Sequence, residues 1–174
     1  MTDFASRPPR FALHPLRLLG WGALALLLAL PAILRFPWSG GDFVIMGVML
    51  ASVGLGIEFL SRRSGNGLVL LGSILGVLTT FLTVWVNLAV GMIASEDNPY
   101  NQLFLLPIAI FIGGCFVTRL RASQMTGILL LAGAAQFFLG LGGLGTDQRG
   151  AIFSMGFALF WLFGAALFRA GSSR

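Results

Sequence analysis

Apolar runs separated by short polar breaks account for nearly all of this chain. They cover residues 16–34, 43–60, 68–94, 99–118, 126–145 and 151–168. An α-helix needs roughly 20 apolar residues to cross a hydrocarbon core of about 30 Å, and each run comes close to that length. The pattern predicts an all-α polytopic transmembrane helix bundle of six spans. Its single transmembrane domain, residues 1–174, leaves no room for a soluble one. Short connections make consecutive spans antiparallel neighbours.

A second pattern lies inside the runs. Lipid tails are as apolar as Leu, so helices in a bilayer associate through close backbone approach and buried polar contacts. In the third span Ser73, Gly76, Thr80, Thr83, Asn87, Gly91 and Ala94 recur every three or four residues. At about 100° per residue they share an arc of about 80°. The second span repeats the device with Gly47, Ala51, Gly54 and Glu58, and the fifth with Gly133, Gln136, Gly140 and Gly143. These faces are expected to meet. Helix packing explains small residues in such stripes. The functional alternative is an intramembrane polar site holding Glu58, Asn87 and Gln136, strung from the second span's Arg-bearing end toward the opposite leaflet.

Charge adds an orientation. All 11 basic residues are Arg, and the net charge is +5. Arg7, Arg10 and Arg17 precede the first span, and Arg62 and Arg63 follow the second. Arg119 and Arg121 follow the fourth, and Arg169 and Arg174 the sixth, whereas Arg35 and Arg149 alone lie in the opposite loops. By the positive-inside rule both termini are expected in the cytoplasm. Arginines divided among four membrane ends do not form a nucleic-acid patch. A signal peptide competes for the first span, but its apolar run is too long and Pro31 spoils the cleavage site. A retained helix bent at Pro31 is expected.

Composition removes most chemistry. The chain is 57% hydrophobic and 10% charged, with a mean hydropathy of +0.92. One cysteine, Cys115, precludes an intramolecular disulfide, and the single histidine, His14, precedes the membrane. No catalytic residues, no metal ligands and no cofactor are expected, and the chain reads as a non-enzyme. Glu58 is the sharpest exception, because a carboxylate inside a span is costly. Its bland explanation is Arg62, one turn on in the favourable acid-before-base order. The loop Ser95-Glu96-Asp97-Asn98-Pro99-Tyr100-Asn101 carries the densest polar cluster. Asn98 fits an N-cap with Pro99 at the first helical position, a better account than a divalent cation site lacking calcium-loop spacing. Trp38 and Tyr100 suit an interfacial belt, and Trp161, mid-span, should pack inside.

From Asp42-Phe43 onward, the chain resembles a group of small, uncharacterised bacterial polytopic inner-membrane proteins. The likeness rests on Glu58 followed by Arg62-Arg63, and on Trp85-Val86-Asn87-Leu88-Ala89-Val90-Gly91-Met92-Ile93 running into Ser95-Glu96-Asp97-Asn98-Pro99 and Asn101. The basic turn at Arg119 and Arg121 and the ending Leu167-Phe168-Arg169 add to it. Tyr100 departs from the small residue of that group. The resemblance implies a multi-pass protein of the bacterial inner (plasma) membrane and supplies no activity or ligand. The expected role is an accessory or structural subunit, its partners the lipid bilayer and another membrane protein or a second copy. A small-solute or proton-coupled transporter is the alternative.

Overall fold

The computed structural model describes residues 15–172, apart from the side chain of Leu16. Arg7, Arg10, His14 and Arg174 lie outside the described residues. Within them the chain is all helical. Six α-helices run in order: α1 (Pro15–Ile33), α2 (Gly40–Arg63), α3 (Gly67–Ala89), α4 (Leu105–Thr118), α5 (Ala122–Gly142) and α6 (Gln148–Ser172). A 3₁₀ turn, Pro99–Phe104, leads into α4. Five segments are long and apolar enough to span a bilayer: α2, α3, the continuous 3₁₀–α4 segment, α5 and α6. The apolar stretch of α1, Arg17–Ile33, is shorter. By length and composition, this is a multi-pass membrane protein.

The chain divides into two compact units at Gly54. In the first, α1 pairs with the start of α2. Pro31 falls in the last turn of α1 and Arg35 follows at φ 56°, so the proline lies beside the helix stop rather than at a mid-span bend. Ser39 and Asp42 open α2 reciprocally: the Asp42 carboxylate accepts from Ser39 N (2.7 Å), and Ser39 Oγ accepts from Asp42 N (3.3 Å). A Cβ on Gly54 would sit 2.8 Å from the Trp21 ring, and one on Gly47 would touch Leu28. The small face of this half of α2 therefore serves α1.

The second unit is built around α6. Of its most apolar stretch 44 % is buried, against 28 % for α3 and 33 % for α5. Both α3 and α5 pack chiefly on α6, while α4 packs on α5. The expected meeting of the third and fifth spans is therefore replaced by two separate seams on one central helix. The reason is the face Ala151, Ser154, Ala158, Trp161, Ala165 and Phe168, buried at alternating three- and four-residue steps. It receives Gly133 and Gly140 of α5 on one side and Gly72 of α3, against Phe168, on the other. Trp161 is fully buried with its ring 5.3 Å from that of Phe111. One apolar core joins Phe111, Met125, Leu129, Trp161 and Phe168, and a second joins Met92, Ile93, Phe104 and Phe157.

Several boundaries move. The third span ends at Ala89 rather than Ala94, because Gly91 turns at φ 77° and the next amides bond elsewhere. Helix α5 starts at Ala122, ahead of the apolar run, and ends at Gly142. Helix α6 runs three residues earlier and four later than its apolar core, from Gln148 to Ser172.

Candidate functional site

The three candidate polar residues are placed in three different settings. Gln136 is wholly buried in the α5–α6 seam, where Nε2 donates to Ser154 Oγ at 3.2 Å. Its Oε1 has no partner among the described residues. Asn87 donates from Nδ2 to the Thr83 carbonyl of its own helix at 2.8 Å, and its buried Oδ1 is also unpartnered. Glu58 forms an ion pair with Arg62, one turn on. Ser154, the partner of Gln136, was hidden in an otherwise apolar span, and only its three- and four-residue spacing from Ala151 and Ala158 could have signalled it.

The hydroxyls of α3 are satisfied along their own helix. Ser73, Thr79, Thr80 and Thr83 each donate to the carbonyl four residues back, at 2.7–2.9 Å. None of these four bonds reaches toward Glu58 or Gln136.

The densest polar construction lies instead where α3 passes into the 3₁₀ turn. Asn101 Oδ1 accepts from Met92 N (3.1 Å) and Ile93 N (2.8 Å), while Nδ2 donates to Ser95 O (2.7 Å) and Ile93 O (3.3 Å). A Cβ on Gly91 would strike the Ser95 carbonyl and Asn101 Nδ2, so this turn needs glycine for space as well as for φ. Asn98 caps the 3₁₀ turn by accepting from Tyr100 N at 3.1 Å, with Pro99 at the first position, as its spacing predicts. Tyr100 is more than a belt residue: its hydroxyl donates to Leu139 O of α5 at 2.8 Å. Glu96 and Asp97 are exposed, and no group of three or more His, Cys, Asp or Glu suited to a metal occurs among the described residues.

Asp147 ties the knot to α6. It accepts from Gly150 N (3.0 Å) and Arg149 N (3.1 Å) at the helix start, and from Ala94 N (3.0 Å) across the loops. The bonds from Gly150 and Ala94 lead in holding its carboxyl below the usual range, with Arg149 adding to them. Because the folded-state pKa is depressed, this contribution is complete above the unfolded value of about 3.9. It is lost as pH falls through the lower folded value. Thermal stability is therefore expected to decline below about pH 4, and Asp147→Asn should flatten that acid limb while lowering stability at neutral pH. An unchanged acid limb in Asp147→Asn would show that other carboxylates govern it.

At the opposite end of this unit, the close of α2 faces α3 and α4 across a groove of about 440 Å³. Arg63 and Arg119 lie at its rim. Arg119 and Leu120 both adopt left-handed backbone, at φ 50° and 62°. Two such non-glycine residues in succession store roughly 1–2 kcal/mol each.

Helical architecture, isolated buried amides and a strapped loop are thus set in a multi-pass membrane protein. No known family, curated protein or solved structure matches the chain.

Proposed function

We propose that this chain is a six-span protein of the bacterial inner membrane, with both termini in the cytoplasm, that acts as a non-enzymatic accessory or structural subunit. The orientation rests on Arg62, Arg63, Arg119, Arg121 and Arg169, which follow the even-numbered spans, against Arg35 and Arg149 in the other loops. The bacterial origin rests on the resemblance carried by the Trp85–Ile93 run and the Asn98 and Asn101 loop.

One observation carries the functional reading. The hydroxyls of α3 and the amide nitrogens of Asn87 and Gln136 donate within a helix or one-to-one across a seam of small residues, as in a packing scaffold. A conduction path would instead set them facing a shared water-filled space. The second reading, a small-solute or proton-coupled transporter using Glu58, Asn87 and Gln136, draws on the unpartnered Asn87 Oδ1 and Gln136 Oε1.

Native mass spectrometry of the protein, taken from its own membrane in lipid nanodiscs, tests the proposal. A second protein at fixed stoichiometry is the expected result. A monomer or homo-oligomer alone overturns the subunit reading. Solute or proton flux abolished by Glu58→Gln would then establish the transporter.

A further inference from the structure

Two stripes of the same design face one another in the groove at the Arg-bearing end. On α2 the stripe is Gly56, Phe59, Leu60 and Arg63; on α4 it is Ile112, Cys115, Phe116 and Arg119. Each covers eight residues at helical spacing, is apolar until its last member and ends on a guanidinium. Val77 and Phe111 close the floor. The groove's volume of about 440 Å³ falls within the roughly 300–1,000 Å³ of ligand pockets.

The arginines are the informative part. Arg62, adjacent in sequence to Arg63, turns back to Glu58 and is neutralised there. Arg63 points another way, its guanidinium 4.7 Å from the centre of the Phe59 ring. Neither Arg63 nor Arg119 has a carboxylate partner among the described residues. Arg119 is moreover presented by the left-handed pair that ends α4, an arrangement a glycine would adopt without strain. Two unneutralised cations at helix ends, above an apolar trough open to the side, match an amphiphile with an anionic head and a long apolar tail. In a bilayer that chemistry belongs to anionic phospholipid, and basic pockets between spans are where such headgroups bind.

We propose that this groove is a binding site for one anionic phospholipid molecule. The phosphate sits between Arg63 and Arg119, and an acyl chain lies along Phe59, Leu60, Ile112 and Phe116. Charge complementarity chooses the lipid over a second copy of the chain, whose matching face would bring arginine against arginine. The site does not depend on the subunit reading, because it concerns which lipid is held and not which protein.

The test is lipid retention by the purified full chain in nanodiscs of mixed phosphatidylcholine and phosphatidylglycerol, read by native mass spectrometry after release. One phosphatidylglycerol should remain bound, enriched roughly thirty-fold over its bulk proportion, as expected for two guanidiniums near the surface. Arg63→Gln with Arg119→Gln should return the bound lipid to the bulk ratio. Arg119→Gly supplies a variant whose folding is not in question, since it relieves the left-handed strain. It should raise thermal stability in pure phosphatidylcholine while cutting the enrichment. Cys115→Phe, which fills the groove without altering charge, should expel both lipids. Retention at the bulk ratio in the wild type would overturn the proposal. So would enrichment unaffected by the arginine substitutions, or a protein dimer formed through this face in place of bound lipid.

Discussion

Gly140→Ala is expected to destabilise the folded bundle by about 2–3 kcal/mol, and Gly140→Leu to abolish it. A Cβ at this position would lie 2.8 Å from Met155 Cγ, 2.9 Å from the Met155 backbone nitrogen and 3.0 Å from the Ala151 carbonyl oxygen. The methionine side chain can swing aside, but the α6 backbone can yield only by moving the helix. Separating α5 from α6 would pull Gln136 from Ser154 in the same seam, leaving a second buried amide group unpaired. Met155→Ala should therefore fail to rescue Gly140→Ala. Two controls isolate the contact from glycine's general effect: Gly127→Ala in α5 and Gly156→Ala in α6 meet nothing within 4 Å. Each should be neutral or stabilising by up to about 1 kcal/mol through helix propensity. Reversible denaturation in mixed micelles measures all five variants. If Gly140→Ala unfolds with the wild type, the seam is looser than its geometry requires.

That contrast among glycines also shows where the sequence was legible. Apolar length located all six helices, since nothing else competes to bury such runs. Small-residue spacing correctly marked Gly140 and Gly133 as packing positions. The choice of partner was not legible, because a stripe says that a helix needs a close neighbour without saying which. The central position of α6 was not legible for a physical reason: its buried face alternates Ala and Ser with Trp161 and Phe168, so it reads as ordinary apolar sequence. Large residues there fill the spaces that the glycines of α3 and α5 leave open, as Gly72 does for Phe168.

The candidate site was less legible. Glu58 and Arg62 were readable as a pair because one helical turn joins them. Gln136 was readable as costly and buried, but Ser154 lies across a seam, 18 positions away. The intramembrane polar site of Glu58, Asn87 and Gln136 joins residues by chemical type, and the bonds described above run from each to other groups. The two guanidinium-ended stripes were present in the sequence, at 56–63 and 112–119, yet they gain meaning only when the fold sets them on one groove.

The end of the third span shows the same limit, and it yields the second large effect. Val90–Ala94 is apolar enough to continue a helix, but Asn101, eight and nine positions on, takes the amides of Ile93 and Met92. Asn101→Ala is expected to cost about 3–5 kcal/mol, because it strands two donors, the amides of Met92 and Ile93, on residues at most 1 % exposed. The carbonyls of Ser95 and Ile93 lose one donor each and keep another, from the backbone and the side-chain amide of Asn98. Water cannot readily replace the lost carboxamide there: Met92 and Ile93 sit in the core with Phe104 and Phe157, so solvation requires opening that core. Asn101→Asp retains the acceptor and loses both donors, turning a carboxylate toward two carbonyls, and should fall between wild type and alanine only when protonated. Glu96→Ala and Asp97→Ala, exposed in the same loop, should stay within about 0.5 kcal/mol. Amide hydrogen exchange supplies the local readout. In Asn101→Ala the amides of Met92 and Ile93 should exchange rapidly under conditions where those of the α5–α6 seam remain protected. Equal protection in variant and wild type would mean that Asn98, Tyr100 and Asp147 hold the loop without it, and that Asn101 adds no strap of its own.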